Sequence, residues 1–160
     1  MPVDDVALIA ATVMMGLIAG LFYAFACSVM LGLHQADART FVDAMQRINV
    51  TILNGWFLAC FLGALILTVL AGALQIGQDS RPALPWIVAA LILYVAVLVV
   101  TGRINVPLNN ELMAAGEVDQ ITDLGAVRAR FEARWVRWNI VRAIASAAAF
   151  GCLTWALALT

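Results

Sequence analysis

Four long apolar runs, at residues 6–33, 50–76, 84–100 and 140–159, set the solvent of this chain before any motif is read. A bilayer hydrocarbon core of about 30 Å needs about 20 apolar residues of helix, at about 1.5 Å per residue. Each run meets or nearly meets that length. No charged residue stands between Val6 and Leu33, and only Thr12 and Ser28 carry aliphatic hydroxyls there. A helix in water needs a polar face, and this segment has none. The pattern predicts an all-α protein whose residues 1–160 form a single integral membrane domain, a four-transmembrane-helix bundle. The expected spans are 6–33, 50–76, 84–104 and 139–159. With 160 residues, 64% of them hydrophobic, there is no room for a separate soluble domain. The first run is expected to be a permanent helix. It is too long for a cleavable signal, and Asp4 and Asp5 stand where such a signal carries positive charge.

Formal net charge is −1, so there is no basic field for nucleic acid. All nine basic residues are Arg, which keeps its charge when partly dehydrated and can snorkel. The first connection, 34–49, carries Arg39 and Arg47. The second, 77–83, carries only Arg81. The third, 101–139, carries Arg103, Arg128, Arg130, Arg134 and Arg137. The positive-inside rule then expects the first and third connections in the cytoplasm and both termini outside, in a bacterial-type inner (plasma) membrane.

Both cytoplasmic connections are expected to contain amphipathic interfacial helices. In the first, Phe41, Val42, Met45 and Ile48 recur at helical spacing, and Asp43 can pair with Arg47 one turn on. In the third, Pro107 lacks an amide donor and is expected to end or kink the preceding helix. Val127, Phe131, Trp135 and Trp138 then form a stripe beside Arg130, Arg134 and Arg137, a composition suited to the headgroup region. The dive into the membrane is expected at Asn139. Small residues recur every fourth position at Gly16, Gly20, Ala24, Ser28 and Gly32, at Gly55, Ala59 and Gly63, and at Ala143, Ala147 and Gly151. Such stripes let helix backbones approach, either within one chain or in a homo-oligomer. Membrane lipids are the expected surroundings of the rest.

One His and three Cys, all three in apolar runs, match no zinc, haem, copper or di-iron ligand pattern, so no metal and no cofactor is expected. Function must lie in the polar residues at membrane depth, which are costly and commonly face an interior or a wet cavity. They gather at one end. His34 closes the first run, Asn49 and Asn54 open the second, and Thr101, Arg103, Asn105, Asn109, Asn110 and Glu111 follow the third. Asn139 and Arg142 open the fourth. Each has a plain structural alternative: Asn139 as a helix cap, Arg142 snorkelling, Asn105 and Asn109 serving backbone freed by Pro107, His34 solvated at a helix end. Taken together, they make a polar pocket. Trp135, Trp138, Asn139 and Arg142 fall at spacings of three and four on one face, where Arg142 can stack on Trp138. Indoles, an amide and a guanidinium suit a flat aromatic ligand with phenolic oxygens.

The segments TGRINVPLNNEL (101–112) and RWVRWNIVR (134–142), with MQRIN (45–49) and the small-residue first helix, resemble the anthrone oxygenase-like family of small four-helix membrane proteins. The resemblance covers nearly the whole chain. It implies oxidation of anthrone-like aromatics by dioxygen without metal or flavin: a base removes a methylene proton, and the enolate reduces dioxygen. It implies Arg142 with Asn105, Asn109 and Asn139 as oxyanion donors, and His34 and Glu111 are the available bases near the expected pocket. Asn49, Asn54, Thr101, Trp135 and Trp138 complete the expected binding set. A non-enzymatic protein that binds a lipid or quinone, or scaffolds a partner, is the alternative. A transporter fits less well, because no pair of broken helices or buried acidic relay is present.

Overall fold

A computed structural model describes residues 2–76 and 82–160; the second connection's Asp79 and Arg81 lie outside the described residues. Among the described residues there are five helices and no strand. Helix α1 runs Val3–His34, α2 Ala38–Thr51, α3 Gly55–Gln75, α4 Leu84–Ala114 and α5 Leu124–Leu157. All but α2 are long and apolar enough to cross a membrane. Their large apolar side chains point outward as well as inward: Leu17, Ile66, Ile92, Val99 and Ile144 are all exposed. An outward apolar surface is what lipid requires, and the chain is a multi-pass membrane protein. Helix α1 packs on α3 and α5, and α4 packs on α5 and α3, closing a four-helix bundle.

Length decides the architecture. Helix α3, with 21 residues, is about 32 Å long and just spans the hydrocarbon. Helices α1, α4 and α5 have 32, 31 and 34 residues and run roughly 45–50 Å, so each projects past the hydrocarbon. The projections share the end where α1 finishes. There α2 lies against them, and Met30, Phe41, Val42, Met45, Leu112 and Phe131 are buried in a second core. The first core, within the bundle, is built on residues such as Leu8, Met15, Ile18, Tyr94 and Leu153. The Tyr94 hydroxyl donates to the Phe61 carbonyl at 2.8 Å, tying α4 to α3.

Several boundaries differ from the sequence expectation, each for a local reason. The second span does not begin at Val50. Residues up to Thr51 belong to α2, and the chain breaks at 52–54. Asn54 starts α3 as its N-cap, accepting from the Phe57 amide at 3.1 Å and donating to the Thr51 carbonyl at 2.9 Å. Pro107 does not end α4. A π-helical turn at Thr101–Asn105 precedes it, and the helix resumes at Val106–Ala114. Pro107 sits in the first turn of the resumed segment, where a missing amide costs least. Gly116, at φ 88°, then stops the helix in the left-handed region, and Gln46 of α2 donates to the Leu112 and Gly116 carbonyls, both at 3.0 Å.

The fourth span and the amphipathic stripe before it are one helix. Helix α5 runs unbroken from Leu124 with Asp123 as its N-cap. Asn139 is therefore mid-helix and buried, and the capping reading is overturned. Sequence periodicity could not show this, because an apolar run begins at Ile140 whether or not the helix started earlier.

The small-residue stripes are used in part. A Cβ on Gly16 would lie 2.9 Å from the Phe150 ring, so α1 and α5 meet closely there. Gly63 faces Met14. Gly20, Gly32, Gly55 and Gly151 have nothing within 4 Å of a built Cβ.

Candidate functional site

A cavity of about 190 Å³ lies between the two cores. Its position follows from the helix lengths. Helix α3 starts late, while α1, α4 and α5 continue, and α2 covers the gap only partly. Phe22 and Phe25 of α1, Asn49 of α2, Phe57 and Phe61 of α3, Thr101, Asn105 and Asn109 of α4, and Trp135, Asn139 and Arg142 of α5 line it. Among its lining residues Leu53, Leu58 and Val106 are exposed. Its mouth therefore lies between the start of α3 and the second half of α4, on an apolar side.

Seven of the residues singled out from sequence meet here: Asn49, Thr101, Asn105, Asn109, Trp135, Asn139 and Arg142. Six do not line the cavity, among them Arg103 and Asn110, which are both exposed. Asn54 is the cap of α3. Trp138 is half-buried on a neighbouring face of α5. Glu111 is exposed and borders a separate crevice with Arg130 and Phe131. His34 is exposed, and its Nδ1 lies 2.7 Å from Glu132. Glu132 in turn pairs with Arg128 at 2.6 Å, and Arg128 donates to the carbonyls of Ala36 and His34. This cluster fastens the end of α1 to α5. Phe22, Phe25, Phe57 and Phe61 were not anticipated from sequence. Within an apolar run nothing separates a cavity-lining Phe from a lipid-facing one.

Arg142 is the centre of the geometry. It is only 6% exposed. Nη2 donates to the Asn139 Oδ1 at 2.9 Å and Nη1 to the Thr101 hydroxyl at 3.4 Å. Its guanidinium lies 4.3 Å from the Phe22 ring centroid and 5.4 Å from that of Trp135, two turns back, rather than stacking on Trp138 as the sequence spacing allowed. Among the described residues no carboxylate lies within 4.0 Å of it. Asn139 Nδ2 donates to the Phe22 carbonyl at 3.1 Å, just before the second π-helical turn of the molecule, Phe25–Val29. Such turns loosen the regular ladder, so a side-chain donor beside one is useful. Asn105 Nδ2 donates to the Trp135 carbonyl at 3.3 Å, and the Trp135 indole donates to Asn109 Oδ1 at 2.8 Å. Trp135 is thereby held from both sides, with Phe131 stacked at 5.9 Å and Phe25 tilted at 5.8 Å.

Three buried polar atoms on residues that line the cavity have no partner: Asn49 Nδ2, Asn105 Oδ1 and Arg142 Nε. Buried polar groups are nearly always paired in folded proteins, so three around one cavity mark a place for polar contents. The lining offers amide donors and acceptors, a cation and aromatic faces. It contains no carboxylate and no imidazole. No group of three or more His, Cys, Asp or Glu suited to a metal exists among the described residues.

With this geometry in hand, comparison with known proteins adds one result. The family model described as anthrone oxygenase matches residues 56–152, more than half of the chain and all of the cavity's α4 and α5 walls. No curated protein and no solved structure gives a match. This multi-pass membrane protein belongs to the anthrone oxygenase family.

Proposed function

We propose that the protein binds a flat, hydroxylated aromatic molecule in this cavity and oxidises it with dioxygen. The observation that carries this reading is Arg142, a buried guanidinium without a carboxylate partner, set among aromatic rings in a chain of this family. In an anthrone-like substrate, loss of a methylene proton gives an enolate with negative charge on oxygen. Arg142 and the amide donor of Asn49 would stabilise that charge in a site shielded from water. One electron passes from the enolate to dioxygen, giving a carbon radical and superoxide. Their recombination forms the C–O bond of a peroxide, and loss of water leaves the carbonyl. Overall one CH₂ and one O₂ become one C=O and one H₂O. The protein orients the ring and holds the charge.

The arginine distribution supports a cytoplasmic position for the cavity end, with both termini outside. A second reading, a protein that binds a quinone or lipid without converting it, gains from the lack of any carboxylate or imidazole in the lining. Anthrone-dependent dioxygen uptake separates the two. Membranes containing the protein are expected to consume one O₂ per anthrone converted, and Arg142→Leu is expected to return the rate to that of empty membranes. Ligand binding without dioxygen uptake by the wild type would select the binder.

A further inference from the structure

We propose that the cavity takes its aromatic ligand as the preformed oxyanion, a phenolate or enolate that has already given its proton to water. The inference rests on the reading of the cavity as an aromatic site and adds the ionic state of what enters it.

Two observations carry it. The first is an uncompensated cation. Arg142 is nine-tenths buried, its hydrogen bonds run to the neutral oxygens of Thr101 and Asn139, and its Nε has no partner. A buried charge without a counter-charge is costly, and an anion entering the cavity recovers that cost. A neutral phenol or ketone does so much less, because its oxygen carries only a partial charge. The second observation is the absence of a proton acceptor among the cavity's side chains. The lining has Asn, Thr, Arg, Trp and apolar residues. Asn and Thr are not bases at any ordinary pH, and Arg is already protonated. His34 bonds to Glu132 at the end of α1, and Glu111 faces a different crevice. A ligand entering neutral would have to lose its proton where nothing in the wall can receive it. A ligand entering ionised needs no acceptor.

The unpaired atoms refine the class. Arg142 Nε and Asn49 Nδ2 are free donors that suit an oxyanion. Asn105 Oδ1 is a free acceptor that suits a hydroxyl retained on the same ring system. The ligand class is therefore an aromatic oxyanion that also bears a hydroxyl. The volume of about 190 Å³ is below the usual range of about 300–1,000 Å³ for small-molecule pockets. Only a compact ring system fits wholly inside, and a larger one extends through the mouth between Leu58 and Val106.

The test uses the full-length protein in zwitterionic nanodiscs, with 2-naphthol, a more acidic nitro-2-naphthol and the ether 2-methoxynaphthalene as probes. Tryptophan fluorescence, to which Trp135 contributes, and the absorption band of the naphtholate report occupancy and ionic state. At a pH where only the nitro compound is ionised, it should bind about ten- to a hundred-fold more tightly than 2-naphthol or the ether, the range set by one charge-assisted bond. Affinity for 2-naphthol should rise as pH approaches its own ionisation. Arg142→Gln should erase the preference. Asn139→Asp places a carboxylate beside the guanidinium as an internal counter-ion. It should erase the preference too, and it keeps the acceptor for Arg142 should the Gln variant fail to fold. Equal binding of the ether and the naphtholate would overturn the inference while leaving an aromatic site intact. Competition by chloride at the same concentration as the aromatic anion would overturn it in favour of a simple halide site. Failure of every probe to bind the wild type would instead bring down the aromatic reading, and this inference with it.

Discussion

Replacing Asn139 by Leu tests the internal logic of the bundle at a single residue. Asn139 is 1% exposed. Its amide donates to the Phe22 carbonyl of α1, and its oxygen accepts from Arg142 Nη2. Leucine matches the amide in bulk and supplies neither bond. Two buried groups then lose a partner, each at a cost of about 1–3 kcal/mol. Measured side-chain bonds between membrane helices are weaker, about 0.6 kcal/mol on average, because the unfolded chain in lipid also finds partners. The gain in apolar burial offsets part of the loss. A net destabilisation of about 1–3 kcal/mol is expected, most of it from the acceptor lost by the buried Arg142 guanidinium. Reversible unfolding in mixed detergent micelles, followed by tryptophan fluorescence, measures it. Asn139→Ser sharpens the result. Were Asn139 a helix cap, Ser would restore nearly all stability, since both residues cap well and a lost cap costs about 1 kcal/mol. At a mid-helix position Ser is too short to reach α1, so it should resemble Leu within about 1 kcal/mol. A Leu variant within 0.5 kcal/mol of the wild type (about the noise of such comparisons), or a full rescue by Ser, would refute the reasoning.

His34→Gln should leave anthrone turnover within about two-fold of wild type, because the imidazole is outside the cavity, and a large loss would restore it as a base. Leu58→Trp, at the mouth, should slow ligand uptake from lipid without altering fold, read as a lower association rate in nanodiscs. A phosphatase fused after Thr160 should report the outer side of the membrane, and a cytoplasmic report would invert the topology. The Asp37 carboxyl, which caps α2, is held below the usual aspartate range by the Thr40 amide and hydroxyl. Its contribution is therefore present above the ordinary aspartate range and is lost as pH falls through the lower folded value. Amide exchange in α2 should accelerate only on that acid side, and Asp37→Asn should flatten the response.

The membrane helices were legible because lipid demands length and apolarity, and both are written in composition. Their ends were less legible. Asn54 and Asn139 are the same residue type next to apolar runs, and only the fold separates the cap from the buried bridge. Pro107 carried a correct local message, that the ladder must be interrupted, but a π-helical turn absorbed the interruption without ending the helix. The polar half of the cavity was readable, since Asn and Arg at membrane depth need a reason to be there. Its aromatic half was not, because Phe22 and Phe57 look like any residue facing lipid. Nor could sequence show that His34 spends its ring on Glu132, a bond across 98 positions.

The most direct test of the account is a structure of the full-length protein in nanodiscs with a hydroxylated anthrone bound under anaerobic conditions. Ring density is expected between Phe22 and Trp135, with an oxygen at about 3 Å from Arg142 Nε. Density elsewhere, with the space beside Arg142 filled only by water or a halide, would contradict it.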